Sequence, residues 1–213
     1  MRRVALAASI AWLLAGCGSR PPAPDWQVNA HGALDRYEQA WLTGQTRAAQ
    51  AEFDRARREL SATGKAGLVA RAELTRCALQ VASLDFGPCP GFEALRADAP
   101  AAERAYADYL QGAPVPPDLL PEQHRAAAGG ADAARVAAIP DPLARLVAAG
   151  VGMRAGRGSP ELMQVAADTA AAQGWRRPLL AWLGAQLELA EQRGDGDRAT
   201  QLRRRIALVA GER

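Results

Sequence analysis

From residue 34 onward the apolar positions of this chain recur at intervals of three and four, the spacing that places them on one face of an α-helix. Leu34, Tyr37 and Trp41 open the series, and "TGQT" interrupts it. Ala49, Phe53, Ala56 and Leu60 form the next stripe, with Arg55, Arg57, Arg58 and Glu59 mostly off it. After "SATGK" the spacing predicts a longer helix from Ala66 to Leu84, with Leu74, Cys77, Val81 and Leu84 on one face. "DFGPCPG" ends it through glycine and proline. Asp98 is expected to cap a helix with Pro100 in its first turn, running to Gln111, and "GAPVPPD" reads as a loop.

Short helices are expected at 119–128 and 131–138, either side of Gly129-Gly130. Asp141-Pro142 and Ser159-Pro160 are cap-plus-proline starts. The first predicts a helix with Leu143, Leu146, Val147 and Val151 on its apolar side; the second predicts one ending at Gln173-Gly174. Pro178 is read as the start of a helix that stops at "RGDGD", and a last helix runs from Asp197 to Val209 with Ala199, Leu202 and Ile206 inward. The 178–193 segment has a stripe of Leu180, Leu183, Leu187 and Ala190, widened by Leu179, Trp182 and Leu189. A helix apolar on two sides has neighbours on both, which predicts stacked helices.

Composition supports the same class. Alanine, the best helix former, is abundant, aromatics are 5%, and no run alternates as a strand would. The expected fold is all-α. A chain of 213 residues is long enough to bury a substantial core in one domain.

The start of the chain follows another pattern. Met1-Arg2-Arg3 precedes eleven uncharged residues, then Ala15, Gly16 and Cys17. A positive start, a short apolar core and a small-residue exit describe a secretory signal, too short to cross a bilayer as a helix. "LAGC" (Leu14, Ala15, Gly16, Cys17) resembles the lipobox of bacterial lipoproteins. The resemblance implies cleavage before Cys17, a diacylglycerol on its sulfur and often a further acyl chain on the new amino group. Several chains make an effectively permanent anchor, whereas one binds only marginally. Gly18, where an Asp often retains such proteins in the inner membrane, implies sorting to the periplasmic face of the outer membrane. The expected organisation is a signal peptide at 1–16, a lipidated and proline-rich tether at 17–28 ("GSRPPAPDW"), and one helical domain at 29–213, with folding starting near Asn29.

Two segments resemble helical hairpins of the tetratricopeptide kind. "GQTRAAQAEFDRA" carries Gly44, Ala49, Phe53 and Ala56 at the family's spacing. "GDGDRATQLRRRI" carries Gly194 and Ala199, with Arg203 where the aromatic stands. No 34-residue period is evident between 65 and 175, so the resemblance covers the two ends of the body and implies antiparallel hairpins stacked in an α-solenoid-like arrangement.

Candidate chemistry is sparse. His31 and His124 stand in no metal-binding or catalytic spacing and are expected to be solvent-exposed or capping. "GVGMRAGRGS" follows a helical pattern and lacks a phosphate-loop lysine, so it reads as an interhelical turn. Glu73, Glu103, Glu161 and Glu188 are expected on solvated helix faces, and Trp26, Trp41, Trp175 and Trp182 in core or edge packing. No catalytic residue, cofactor or metal site is expected. With Cys17 consumed, Cys77 and Cys89 remain in an oxidising compartment, and a helix rising from Cys77 followed by an extended return through "DFGPC" brings them level, which predicts a disulfide.

The net charge of +3 falls to +1 without the leader's two arginines, a balance that excludes long-range attraction to nucleic acid. The expected function is a non-catalytic envelope lipoprotein that binds a protein partner, the alternative being an enzyme or binding protein acting on cell-wall fragments or small solutes. A shallow groove favours the first and a pocket with converging carboxylates the second. Exposed arginines at 47–58 and 198–205 are candidate contacts, although solvated faces are the ordinary explanation.

Overall fold

The computed structural model describes residues 22–211. Among them are eleven α-helices and no strand: α1 (Asp25–Leu42), α2 (Thr46–Ser61), α3 (Ala66–Ala82), α4 (Pro90–Glu93), α5 (Ala101–Leu110), α6 (Glu122–Arg125), α7 (Ala133–Ala137), α8 (Pro142–Arg154), α9 (Pro160–Ala172), α10 (Arg176–Gln192) and α11 (Gly196–Ala210). A single 3-10 turn, Pro117–Leu119, precedes α6. The expected signal peptide at 1–16, Cys17 and the tether positions up to 21 lie outside the described residues.

Several boundaries differ from the sequence reading, each for a local reason. α1 begins at Asp25 rather than near Asn29: Pro24 precedes the first turn, Asp25 places a negative charge at the positive helix end, and Trp26 packs against the core around Tyr37 and Phe53. Asp98 does not cap α5, because Pro100 itself is the extended N-cap residue, with ψ 159°. α10 starts two residues before Pro178, which sits within its first turn. The short helices around Gly129-Gly130 shrink to Glu122–Arg125 and Ala133–Ala137. α4 forms within a stretch read as loop, started by Pro90.

Where the cap-plus-proline signal is complete it holds. Asp141 accepts a hydrogen bond from Ala144 N at 2.6 Å and Ser159 from Leu162 N at 3.1 Å, each followed by proline. The C-terminal ends are also alike. Most helices stop at a left-handed glycine, Gly44 after α1 among them, whereas α3 stops at Leu84 with φ 56°. Leu84 is therefore not on the helical face expected of it; the Asp85 N–H closes the turn on Gln80 O at 2.9 Å, and the leucine side chain packs against the core.

α3 is the central helix. It packs against α2, α4 and α5, and most extensively against α8. α1 pairs with α2, while α9, α10 and α11 pack in sequence. The α3–α8 approach depends on small residues. Gly150 faces Val81 O so closely that a Cβ would collide with it, and Ala148 and Ala149 are fully buried. "GVGMRAGRGS" is thus only half a turn: Gly150 and Gly152 belong to α8.

Two tryptophans tie distant segments to the last turn of α3, where carbonyls lack helical partners. Trp41 Nε1 donates to Leu79 O at 3.2 Å, and Trp182 Nε1 donates to Ala82 O at 3.0 Å. Arg177 then joins the two ends of the body. Its Nε donates to Trp41 O at 2.8 Å and its guanidinium lies 4.2 Å from the Trp41 ring centroid. Cys77 and Cys89 are bonded, with their Cα atoms 6.0 Å apart, fastening α3 to the segment that enters α4.

Candidate functional site

A pocket of about 500 Å³ lies between α3, α5 and the start of α8, bordered by the strap of residues 118–125. α3 presents Leu74 and Ala78 to it, one turn apart at i, i+4, with Thr75 beside them. α8 adds Leu143, Ala144 and Val147; α5 adds Glu103 and Tyr106. The wall is largely aliphatic because these helices meet through the same apolar stripes that build the core.

Charge enters at the margins. Glu38 from α1, Glu103, Asp118 and Asp141 line the pocket, against the cations Arg71 and Arg125. Arg71 Nη2 is 2.6 Å from Glu103 Oε1, so that pair neutralises itself. Arg125 donates its Nε to Leu120 O at 3.0 Å. Glu38, Asp118 and Asp141 take part in no ion pair among the described residues. Partial burial, with the charges of Asp141 and Asp35 added, holds the Glu38 carboxyl above the usual carboxylate range.

His124 overturns the expectation of an exposed or capping histidine. It is only 2% exposed, on the strap, while His31 is on the surface as expected. The strap carries His124 inward because Leu120 and Ala127, on the same side of the segment, are core residues. Tyr106 Oη lies 3.3 Å from its Nε2, and the imidazole stacks on Tyr106 with centroids 5.4 Å apart. Tyr109 closes the cluster at 5.3 Å from His124. Burial pushes the His124 pKa down to about 4, the Asp141 charge pulling weakly the other way. Its Nδ1 has no hydrogen-bond partner. Burial likewise raises the Tyr106 phenol well above its ordinary value.

The four glutamates divide. Glu161 and Glu188 are exposed, as expected; Glu73 and Glu103 are buried, at 1% and 7%. Both are buried because arginines reach them. Arg57 Nε meets Glu73 Oε1 at 2.9 Å, and Arg76 Nη2 is 2.6 Å from Oε2 as an ion contact without hydrogen-bond alignment. Arg76 also lies over the Phe53 ring at 4.6 Å, and Gly91 packs on the Glu73 carboxylate where no Cβ would fit. This cluster is structural, since both carboxylate oxygens of the buried Glu73 face arginines. Arg57 is paired in this cluster yet stays exposed among the arginines of 47–58.

Trp182 is fully buried, and Trp26, Trp41 and Trp175 pack against the two core clusters. Of the tetratricopeptide-like positions, Ala49, Phe53, Ala56 and Ala199 are buried, while Arg203 is exposed and pairs with Glu191. Among the described residues no helix is long and apolar enough to cross a membrane, and no group of three His, Cys, Asp or Glu is arranged to hold a metal.

Chemically the pocket offers carboxylates rather than a nucleophile. Thr75 is its one hydroxyl besides Tyr106, and its Oγ1 donates to Arg71 O at 3.2 Å. Comparison with family models, curated proteins and solved structures finds no match.

Proposed function

We propose that the protein is a bacterial envelope lipoprotein, anchored through Cys17 to the periplasmic face of the outer membrane, whose helical body binds a protein partner without turning over a substrate. The observation that carries this reading is "LAGC" after a charged start and a short apolar run. The hairpins at the two ends support it: α1 with α2, and α9 through α11, pack as sequence neighbours, consistent with stacked, tetratricopeptide-like repeats at both ends of the body. The α3–α8 pairing fills the middle and belongs to no repeat. A short tether confines the body to a thin shell above the membrane, which raises its effective concentration for neighbours there.

The test is a comparison of crosslinked envelopes from cells carrying the anchored protein and a soluble, signal-swapped form with Cys17→Ala. The reading expects a specific partner captured with the anchored form and a deletion phenotype that only this form restores. Full restoration by the soluble form makes anchoring dispensable. Turnover of peptidoglycan fragments by purified protein, lost on replacing one acid, replaces the scaffold with an enzyme.

A second reading is favoured by one specific observation, the pocket at α3, α5 and α8 with its several carboxylates. On that reading the body binds a small solute.

A further inference from the structure

We infer that the pocket between α3, α5 and α8 is a binding site for an organic cation: an amine with an apolar body, its ammonium held at Glu38 and Asp141. The inference rests on the solute-binding reading and gives it a chemical class.

Size and lining come first. About 500 Å³ is within the range of small-molecule sites and holds a fused ring system with a short side arm. Leu74, Ala78, Leu143 and Val147 provide the apolar surface for that body. The sign of the charge follows from which groups are already satisfied. Arg71 and Glu103 cancel each other, whereas Arg125, whose Nε donates to the neutral Leu120 O, keeps its positive charge. Glu38, Asp118 and Asp141 are left without a cation among the described residues. A half-buried carboxylate in that position is destabilised until an opposite charge arrives. Glu38 carries this destabilisation, its carboxyl being raised by burial and by Asp141.

An anionic ligand meets the opposite situation. The start of α8 is the natural anion site here, but its amide donor at Ala144 is already taken by the Asp141 carboxylate at 2.6 Å. His124 is the independent pointer to a ligand. It is 2% exposed, lines the pocket, and its Nδ1 is unpartnered. At neutral pH the ring is uncharged. Its Nε2 pairs with Tyr106 Oη, which leaves Nδ1 as the ring nitrogen still open to a polar partner. The charges left over in this pocket are three carboxylates against the one cation Arg125, so it is negative on balance.

Three probes with one naphthalene body and different charge test the inference: 1-naphthylmethylamine, 1-naphthylmethanol and 1-naphthoate. Binding is measured by calorimetry on the whole mature chain, made soluble with Cys17→Ala. The amine is expected to bind at least tenfold more tightly than the alcohol, and the naphthoate most weakly. Glu38→Gln and Asp141→Asn each reduce the amine's advantage to about threefold or less. Asparagine preserves the α8 cap, and unchanged alcohol affinity shows that each variant keeps its pocket. Equal affinity for amine and alcohol, or an advantage that survives both substitutions, overturns the cation assignment and leaves the solute-binding reading standing. Failure of all three probes to bind overturns both.

Discussion

A histidine buried without a counter-ion ties the stability of this fold to pH. His124 has a pKa of about 4 when folded, against 6.5 as its ordinary value. Between those limits the unfolded chain takes up a proton that the folded chain refuses, so stability rises with pH across that window and falls on acidification. The loss approaches about 3 kcal/mol from this one site. Urea unfolding of the wild type and of His124→Gln, compared at pH 7 and pH 4.5, should show a markedly shallower fall in the variant; identical falls contradict this account of the ring. Nothing around His124 in sequence announces it, since "EQHRAAAGG" has the composition of an exposed turn. The same is true of Glu73 and Glu103. Their burial depends on Arg57 and Arg71, which come from other turns or helices, so spacing along the chain is silent about both.

At the scale of elements, close approach decides stability. Gly150→Ala improves helix propensity by about 1 kcal/mol, yet its methyl collides with Val81 O. A backbone carbonyl cannot swing aside, so α3 and α8 must part, and overpacking of this kind costs roughly 1–3 kcal/mol. We expect net destabilisation by denaturant titration. Gly184, inside α10 with open space around it, is the control, and Gly184→Ala should stabilise by about 0.5–1 kcal/mol. A second element-level device is the Cys77–Cys89 bridge, which closes a loop of sequence separation 12. The chain-entropy account gives it about 3 kcal/mol, so a Cys77→Ala/Cys89→Ala pair should lose that much. Free alkylation of both thiols in native, unreduced material contradicts the bond.

The long helices were legible because their stripes and stops are local: Phe53 and Ala56 face the core, and Gly44 and Gly174 end their turns. Leu84, Asp98 and α4 were not. Leu84 and α4 are set by how the chain leaves α3 around the disulfide, a tertiary constraint that overrides local propensity, and Asp98 loses the cap of α5 to Pro100.

The whole molecule joins its ends, since Arg177 on α10 holds the last turn of α1 through Trp41. Arg177→Ala should therefore loosen both terminal hairpins together. Hydrogen exchange at the α1 and α10 amides tests this, and exchange confined to α10 contradicts it. The pocket is also a property of the whole molecule. Glu38, Tyr106, His124 and Asp141 come from four segments and meet only when α3 has assembled α5, the strap and α8 around itself. For that reason the sequence showed scattered carboxylates and no site. The proposed address, by contrast, rests on four consecutive residues, "LAGC", and the proposed role depends on it. Mass spectrometry of the purified mature protein, with fatty-acid labelling and membrane fractionation of wild type and Cys17→Ser, tests it most directly. The account predicts a mature chain that begins at an acylated Cys17, and a variant that loses both label and membrane association. A Cys17→Ser protein that stays in the membrane fraction with unchanged mass contradicts it.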